Sequence, residues 1–316
     1  SKLILQYNCS QSFEFIISNA ILYLGTATRG LLSQKIGLKI STISKFTTRL
    51  LNKKLIIEKD EGVSIGGRRA KLLSINPDYM YAIGVEIAPR CIRAGVIDLS
   101  GKIIVSQEKE LIPGVKEKIV EQIISTIQEV VKKSGLGINR FLGTGVGICG
   151  IVNHETGVCL NSSHIRGFKQ VPVGSMIEQK LKIPVLVDDR VNSMAIAEKS
   201  YSLGKNSSNF IYLFADEGIG LGIIMDNNIY RGAFNSAGKI GHIIVNRNGL
   251  QCDCGNVGCL ETVASVSALV RQTRESINAN VDSSVTEYIN SNNNINPREI
   301  SKIVIREAKK GDKLAY

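Results

Sequence analysis

The 316 residues contain no run of about 18 consecutive apolar residues, so a membrane-spanning helix is not expected. The opening stretch, Ser1 to Gln11, has neither the basic flank nor the long apolar segment of a secretory signal, which points to the cytoplasm. An initiator Met is also missing, and the chain is expected to be trimmed at that end. Internal repeats and long low-complexity tracts are absent, which sets aside repeat architectures. The Asn-rich stretch Asn290–Asn296 reads as a loop.

What is present suits a globular protein of two or three domains: the length exceeds one average domain and 43% of the residues are hydrophobic. The net charge of +11 is unevenly placed. Residues 1–75 carry 12 Lys/Arg against 4 Asp/Glu, a net +8, which leaves +3 for all the rest. Charge concentrated in one short segment fits a polyanionic partner; the alternative is a solvated basic tail. Of seven cysteines, Cys252, Cys254 and Cys259 crowd into eight positions, whereas Cys9, Cys91, Cys149 and Cys159 are scattered. In a reducing compartment the cluster suggests a metal, and the scattered thiols read as inert core residues.

The basic segment has regular apolar spacing. Ile17, Ile21 and Leu24 mark a first helix, and a second runs near Arg29–Lys35. After a turn at Ile36-Gly37-Leu38, a third helix over Ser41–Lys53 is expected to bury Ile43, Phe46 and Leu50. Two short helices joined by a glycine-containing turn form the helix-turn-helix layout. Ser41, Thr42, Ser44, Lys45, Thr48 and Arg49 would then offer hydroxyls and cations to phosphates and base edges. Lys39 stands where a Ser cap would be usual. Leu55–Lys59 and Lys71–Ile75 read as a two-stranded wing with Arg68 and Arg69 at its glycine-rich tip, placed for a DNA backbone or minor groove. A wing used for protein contacts is the alternative.

Past Pro77 the pattern becomes α/β. Strands are expected at Tyr81–Ile87, Arg93–Asp98, Lys102–Val105, Gly143–Ile148 and Ile183–Val187. Helices are expected at Lys116–Lys133, Val191–Ser202 and near Pro297–Lys310, giving a sheet covered by helices.

The segments IGVEIAPRCIRAGVIDLSGKII, GVGICGIVN, Val171–Val173 with Val185–Glu198, EGIGLGIIMDNNIYRGAFNSAGKIGH and CDCGNVGCLE resemble the ROK family of repressors, open reading frames and sugar kinases. Joined to a head ending in GGRRAKLLSINPD, the chain is similar to the repressor branch, which includes xylose repressors. The resemblance implies a two-lobed actin-like, ribonuclease-H-like body behind a winged helix-turn-helix. The expected domains are 1–78 for DNA binding, 79–189 for the first lobe and 190–316 for the second. It also implies that the body lacks its usual C-terminal helix, strand and last helix, which would expose apolar surface.

The same resemblance makes His242, Cys252, Cys254 and Cys259 a structural zinc site. Three thiolates and an imidazole suit tetrahedral zinc, and Gly255 and Gly258 let the sulfurs converge. Buried free thiols are the alternative, and they leave the spacing unexplained.

Kinase members carry a DxGxT-like phosphate loop and an NDxN base. Here Glu86-Ile87-Ala88-Pro89-Arg90 and Asp189-Arg190-Val191-Asn192 stand instead, so no catalytic residue is expected. A one-residue slip would make Asp189 the base. His164, Asp189, Arg190, Lys239, His242 and Glu261 are the candidate ligand-binding residues, with His164 and Phe168 where the family often has Asn and Trp. Arg190 and Lys239 replace two acids. An anionic effector such as a sugar phosphate would follow, unless both cations pair with Glu217, Asp189 or Glu261 and the site takes a neutral sugar or nothing. A sugar-responsive DNA-binding repressor, a homodimer or higher homo-oligomer, is the function implied. A ROK sugar kinase with a regulatory head and a ligand-independent DNA-binding protein are the alternatives.

Overall fold

A computed structural model describes residues 12–59, 70–279, 281, 283–290, 297–312 and 315. Arg68 and Arg69 lie outside the described residues. The N-terminal unit has three helices, α1 (Phe13–Leu24), α2 (Arg29–Ile36) and α3 (Ile40–Asn52), and two strands, β1 (Ile56–Lys59) and β2 (Leu72–Ile75). Ser12 and Thr28 cap α1 and α2 with side-chain oxygens, whereas Lys39 gives α3 no side-chain cap. The helices close over Ile17, Ile21, Leu32, Ile43 and Leu50, with Leu73 from the antiparallel β1–β2 pair. On α3 Thr47 is buried as well, its hydroxyl accepting from Arg29 and donating to the Ser44 carbonyl, and Phe46 packs against the margin of this core. Phe46 is half-buried and rests against the Phe13 ring.

The body begins with β3 (Tyr81–Ile87), β4 (Cys91–Asp98) and β5 (Ile103–Glu110), a meander whose alternating burial fits a sheet covered on one face. The cover is α4 (Lys116–Ser134), which buries Ile119, Ile123, Ile127 and Val130 and ends at left-handed Gly135. Next come β6 (Phe141–Ile148), a small sheet of β7 (Ile151–Asn153), β8 (Val158–Asn161) and β9 (Lys169–Val171), then α5 (Val173–Leu181) and β10 (Val185–Asp189). In the large sheet the order is β10-β6-β3-β4-β5, with β6 and β10 parallel to β3. The ends of β3, β6 and β10 therefore open on one edge, the position where open α/β sheets hold ligands.

Helix α6 (Arg190–Tyr201) follows β10 directly and leads through a 3-10 turn, Leu203–Asn206, to β11 (Phe210–Ala215), β12 (Ile219–Met225) and β13 (Asn228–Ile229). Gly222 lets α6 lie on this second sheet, because a Cβ there would sit 2.4 Å from the Ala195 Cβ. On alternate positions of β11, Ile211 and Leu213 are exposed. The described chain closes with α7 (Glu261–Ala264), α8 (Val266–Asn278), α9 (Ser284–Asn290) and α10 (Pro297–Ala308), whose core includes Val270, Val285, Ile300 and Val304. No described helix is long and apolar enough to cross a membrane.

Candidate functional site

A cleft of about 270 Å³ opens at the carboxyl ends of β6 and β10. All six candidate ligand-binding residues, His164, Asp189, Arg190, Lys239, His242 and Glu261, line it. Asp189 ends β10 and caps α6: Oδ1 accepts from the Val191 and Asn192 amides at 2.8 and 3.2 Å. Its Oδ2 takes the Lys239 ammonium at 2.5 Å, and Lys239 also donates to the Gly150 carbonyl at 2.9 Å. Arg190 is buried, its guanidinium 4.4 Å from the Phe214 ring centroid and its Nη1 3.4 Å from Glu86. Glu86, the first residue of the altered phosphate-loop segment, is also held by Arg93 at 2.9 Å. Both cations thus face carboxylates, and the partner of Arg190 is Glu86 rather than Glu217, Asp189 or Glu261.

On the opposite wall, the Glu261 carboxylate lies 3.8 Å from His164 Nε2 and 3.6 Å from His242 Nδ1. Phe168, which stands where the family often has Trp, is fully buried in the core and does not line the cleft. Sequence reasoning missed Asn161, Phe214 and Ser236, which do line it. Phe214 alternates in β11 with exposed Leu213, but the strand FIYLFA is apolar throughout, so no sequence period marked which face turns to the cleft. The neighbouring Cys149 and Cys159 thiols are pushed up by burial to about 11 and about 12, as expected for unreactive core cysteines.

Next to Glu261, ligand atoms of His242, Cys252, Cys254 and Cys259 all lie within 4.8 Å of one another. The Cys254 and Cys259 sulfurs are 3.6 Å apart, and Cys252 Sγ is 3.7 Å from His242 Nδ1. These separations are close to the edges of a tetrahedral site, about 3.8 Å between sulfurs and about 3.5 Å between sulfur and nitrogen for metal–ligand bonds of about 2.3 and 2.0 Å. Gly255 and Gly258 have φ of +94° and +75°, and a Cβ on Gly258 would fall 1.5 Å from the Asn246 carbonyl oxygen, so the loop requires glycine there. Burial lowers the His242 imidazole and raises the Cys252 and Cys259 thiols. A neutral imidazole is the ligand form, and a bound cation would reverse the thiol shifts. The donor set fits a metal ion.

In the N-terminal unit, Ser41, Lys45, Thr48 and Arg49 are exposed on α3, and Thr42 and Ser44 are half-buried. Lys45 and Arg49 flank the Phe46 ring, with Arg49 Cζ 5.2 Å from its centroid.

An α/β body with a cleft at its strand ends and a Cys/His cluster beside it matches the model of the ROK family over residues 82–316. The chain belongs to the ROK family. It is 32% identical over 313 residues to the xylose repressor of Caldicellulosiruptor bescii, covering 99% of this chain and 76% of that one. Among solved structures it is similar to a ROK family transcriptional regulator described as a homolog of E. coli MLC, with TM-score 0.73, 25% identity and coverage of 95% and 75%. It is also similar to the ROK glucokinase of Streptomyces griseus bound to glucose and AMPPNP, with TM-score 0.64, 29% identity and coverage of 74% and 73%. The actin-like ROK body expected from the sequence is thereby shown.

Proposed function

We propose that the chain is a transcriptional repressor of carbohydrate genes: a winged helix-turn-helix head reads an operator, and the body cleft takes a neutral aldose, with xylose the first candidate. The observation that carries the DNA reading is α3. Ile43, Thr47 and Leu50 bury one face while Ser41, Lys45, Thr48 and Arg49 stand exposed on another, in a unit that holds most of the net charge. The names of the relatives support the same reading. Selection from a random DNA pool by the purified chain tests it: enrichment of a site with two related halves is expected, as for a dimeric helix-turn-helix protein. Failure to bind DNA at low salt, where phosphate contacts are strongest, contradicts it.

The neutral effector is favoured by the engagement of Lys239 with Asp189 and of Arg190 with Glu86. Neither cation stands unopposed for a phosphate, whereas Glu261 and His164 can meet sugar hydroxyls. Calorimetry with D-xylose and its phosphate decides, and tighter binding of the phosphate refutes the neutral reading.

A body without kinase activity is supported by two placements. Arg190, a permanent cation, occupies the base position, and Asp189, the one-residue alternative, is taken by the α6 amides and Lys239. Pro89 and Arg90 form the β3–β4 turn, where proline offers no amide to a phosphate. Sugar-dependent ATP turnover would overturn this. His242, Cys252, Cys254 and Cys259 would hold zinc; bound there, it supplies a closed four-ligand anchor for the loop beside the cleft.

A further inference from the structure

Among the described residues, hydrogen bonds tie the head to the body at two places, and these belong to different lobes. At the linker, the Pro77 carbonyl accepts the Leu99 amide at 3.3 Å, and the Asp78 carbonyl accepts from the Arg140 guanidinium. Leu99 and Arg140 belong to the first lobe, beside β4 and β6. The second place is Tyr23 on α1. Its hydroxyl lies 3.0 Å from Asn206 Oδ1 and 3.3 Å from the Lys205 carbonyl, and the Lys205 ammonium is 5.2 Å from its ring centroid. Residues 205 and 206 sit in the turn that feeds β11 of the second lobe.

That turn is tied to α6. Lys199 donates to the Lys205 and Ser207 carbonyls at 3.2 and 2.8 Å, and the Glu198 carboxylate accepts the Gly204 amide at 3.3 Å. A Cβ on Gly204 would meet the Phe210 ring at 2.7 Å, so the turn is also packed closely on β11. The other end of α6 is the cleft: Asp189 is its cap and Arg190 its first residue. Twelve residues place these ends about 18 Å apart, spanned by one continuous helix.

We propose that the Tyr23–Asn206 contact transmits the lobe arrangement set at the cleft to the DNA-reading head, with α6 as the connecting rod. This rests on the reading of the cleft as an effector site. Because the linker fixes the head to the first lobe and Tyr23 fixes it to the second, a change in the angle between the lobes must turn the head or break one attachment. A ligand that favours one lobe angle thereby favours one head placement, which is the differential interaction that allosteric coupling requires. Tyr23 and Asn206 are positioning residues in this scheme, remote from both DNA and ligand.

The test compares Tyr23→Phe, which removes the hydroxyl and keeps the ring, with Asn206→Leu and with Asn206→Asp, which retains an acceptor. The readout is the ratio of affinities for the selected DNA without and with saturating D-xylose. Tyr23→Phe and Asn206→Leu are expected to shrink that ratio about fivefold, the worth of one net hydrogen bond, while Asn206→Asp keeps it. A wild-type ratio in both of the first two variants overturns the proposal. A ligand-free arm separates it from the effector reading: Asp189→Ala, which uncaps α6, should raise amide exchange in α1 only when Tyr23 is intact. If xylose leaves the wild-type ratio at one but this exchange signature is present, the choice of effector fails and the coupling stands. If the exchange in α1 is the same with Tyr23 and with Tyr23→Phe, the coupling fails.

Discussion

Replacing Asp189 tests how charge is balanced in the cleft. Its side chain is 7% exposed and accepts three hydrogen bonds, two from the α6 amides and one from Lys239. Loss of the cap costs about 1 kcal/mol. Stranding the ammonium lies between the cost of breaking a buried pair, about 3–5 kcal/mol, and that of a surface pair, about 0–1 kcal/mol. Lys239 is 25% exposed and keeps the Gly150 carbonyl, so about 1–3 kcal/mol is reasonable. Asp189→Ala should therefore destabilise the body by about 2–4 kcal/mol and lower its melting temperature by about 4–16 °C. Asp189→Asn keeps the capping oxygen and should melt about 2–4 °C above the Ala variant. Adding Lys239→Met to Asp189→Ala should restore part of the loss, because the unpaired cation goes too. Thermal melts followed by circular dichroism measure all four chains. Melting of both single variants within about 1 °C of wild type would refute the pairing, and with it the reason for a neutral effector.

Metal analysis of the purified chain should find about one zinc per chain, and Cys259→Ser should lose it. A chelator should then lower the melting temperature of the wild type but not of that variant. On α3, Lys45→Ala should weaken DNA binding evenly across sequences and reduce the salt slope by about 1, as measured by titration at several salt concentrations; Arg49→Ala should cost about 1–3 kcal/mol and relax preference at one base position. The Glu58 carboxyl is held below its ordinary 4.5 first by its hydrogen bond to Lys71, which outweighs the opposing effect of burial, and then by its hydrogen bond to Arg29. A depressed folded value means that this stabilisation is complete above about pH 4.5 and is lost as pH falls through the folded value. Denaturant unfolding of the head should show that loss on acidification, and Glu58→Gln should flatten it.

Much of the fold was legible because its signals are local. Ile119, Ile123, Ile127 and Val130 repeat at helical spacing before Gly135, and α4 ends there. Tyr81–Ile87 is the strand that its apolar alternation predicted. The short strands β7, β8 and β9, of three or four residues each, carry too few positions for a period to show. Phe46 packs at the margin of the core, and the sequence did not reveal that Thr47 sits inward beside it, with its hydroxyl satisfied by Arg29 and the Ser44 carbonyl. The cleft residues came from motif matches and converge in space. What the sequence could not supply was the partner of Arg190: Glu86 is 104 positions away and meets it only because β3 and β10 end on the same edge of one sheet. Phe168, where the family often has Trp, fills the core.

The most direct measurement is the affinity of the purified chain for its selected DNA site at fixed salt, without and with D-xylose. A sugar-responsive repressor predicts specific binding that falls steeply with salt and changes by about 5–150-fold when xylose saturates the cleft. Binding of equal strength to any DNA, unaltered by xylose or other neutral aldoses, would contradict it.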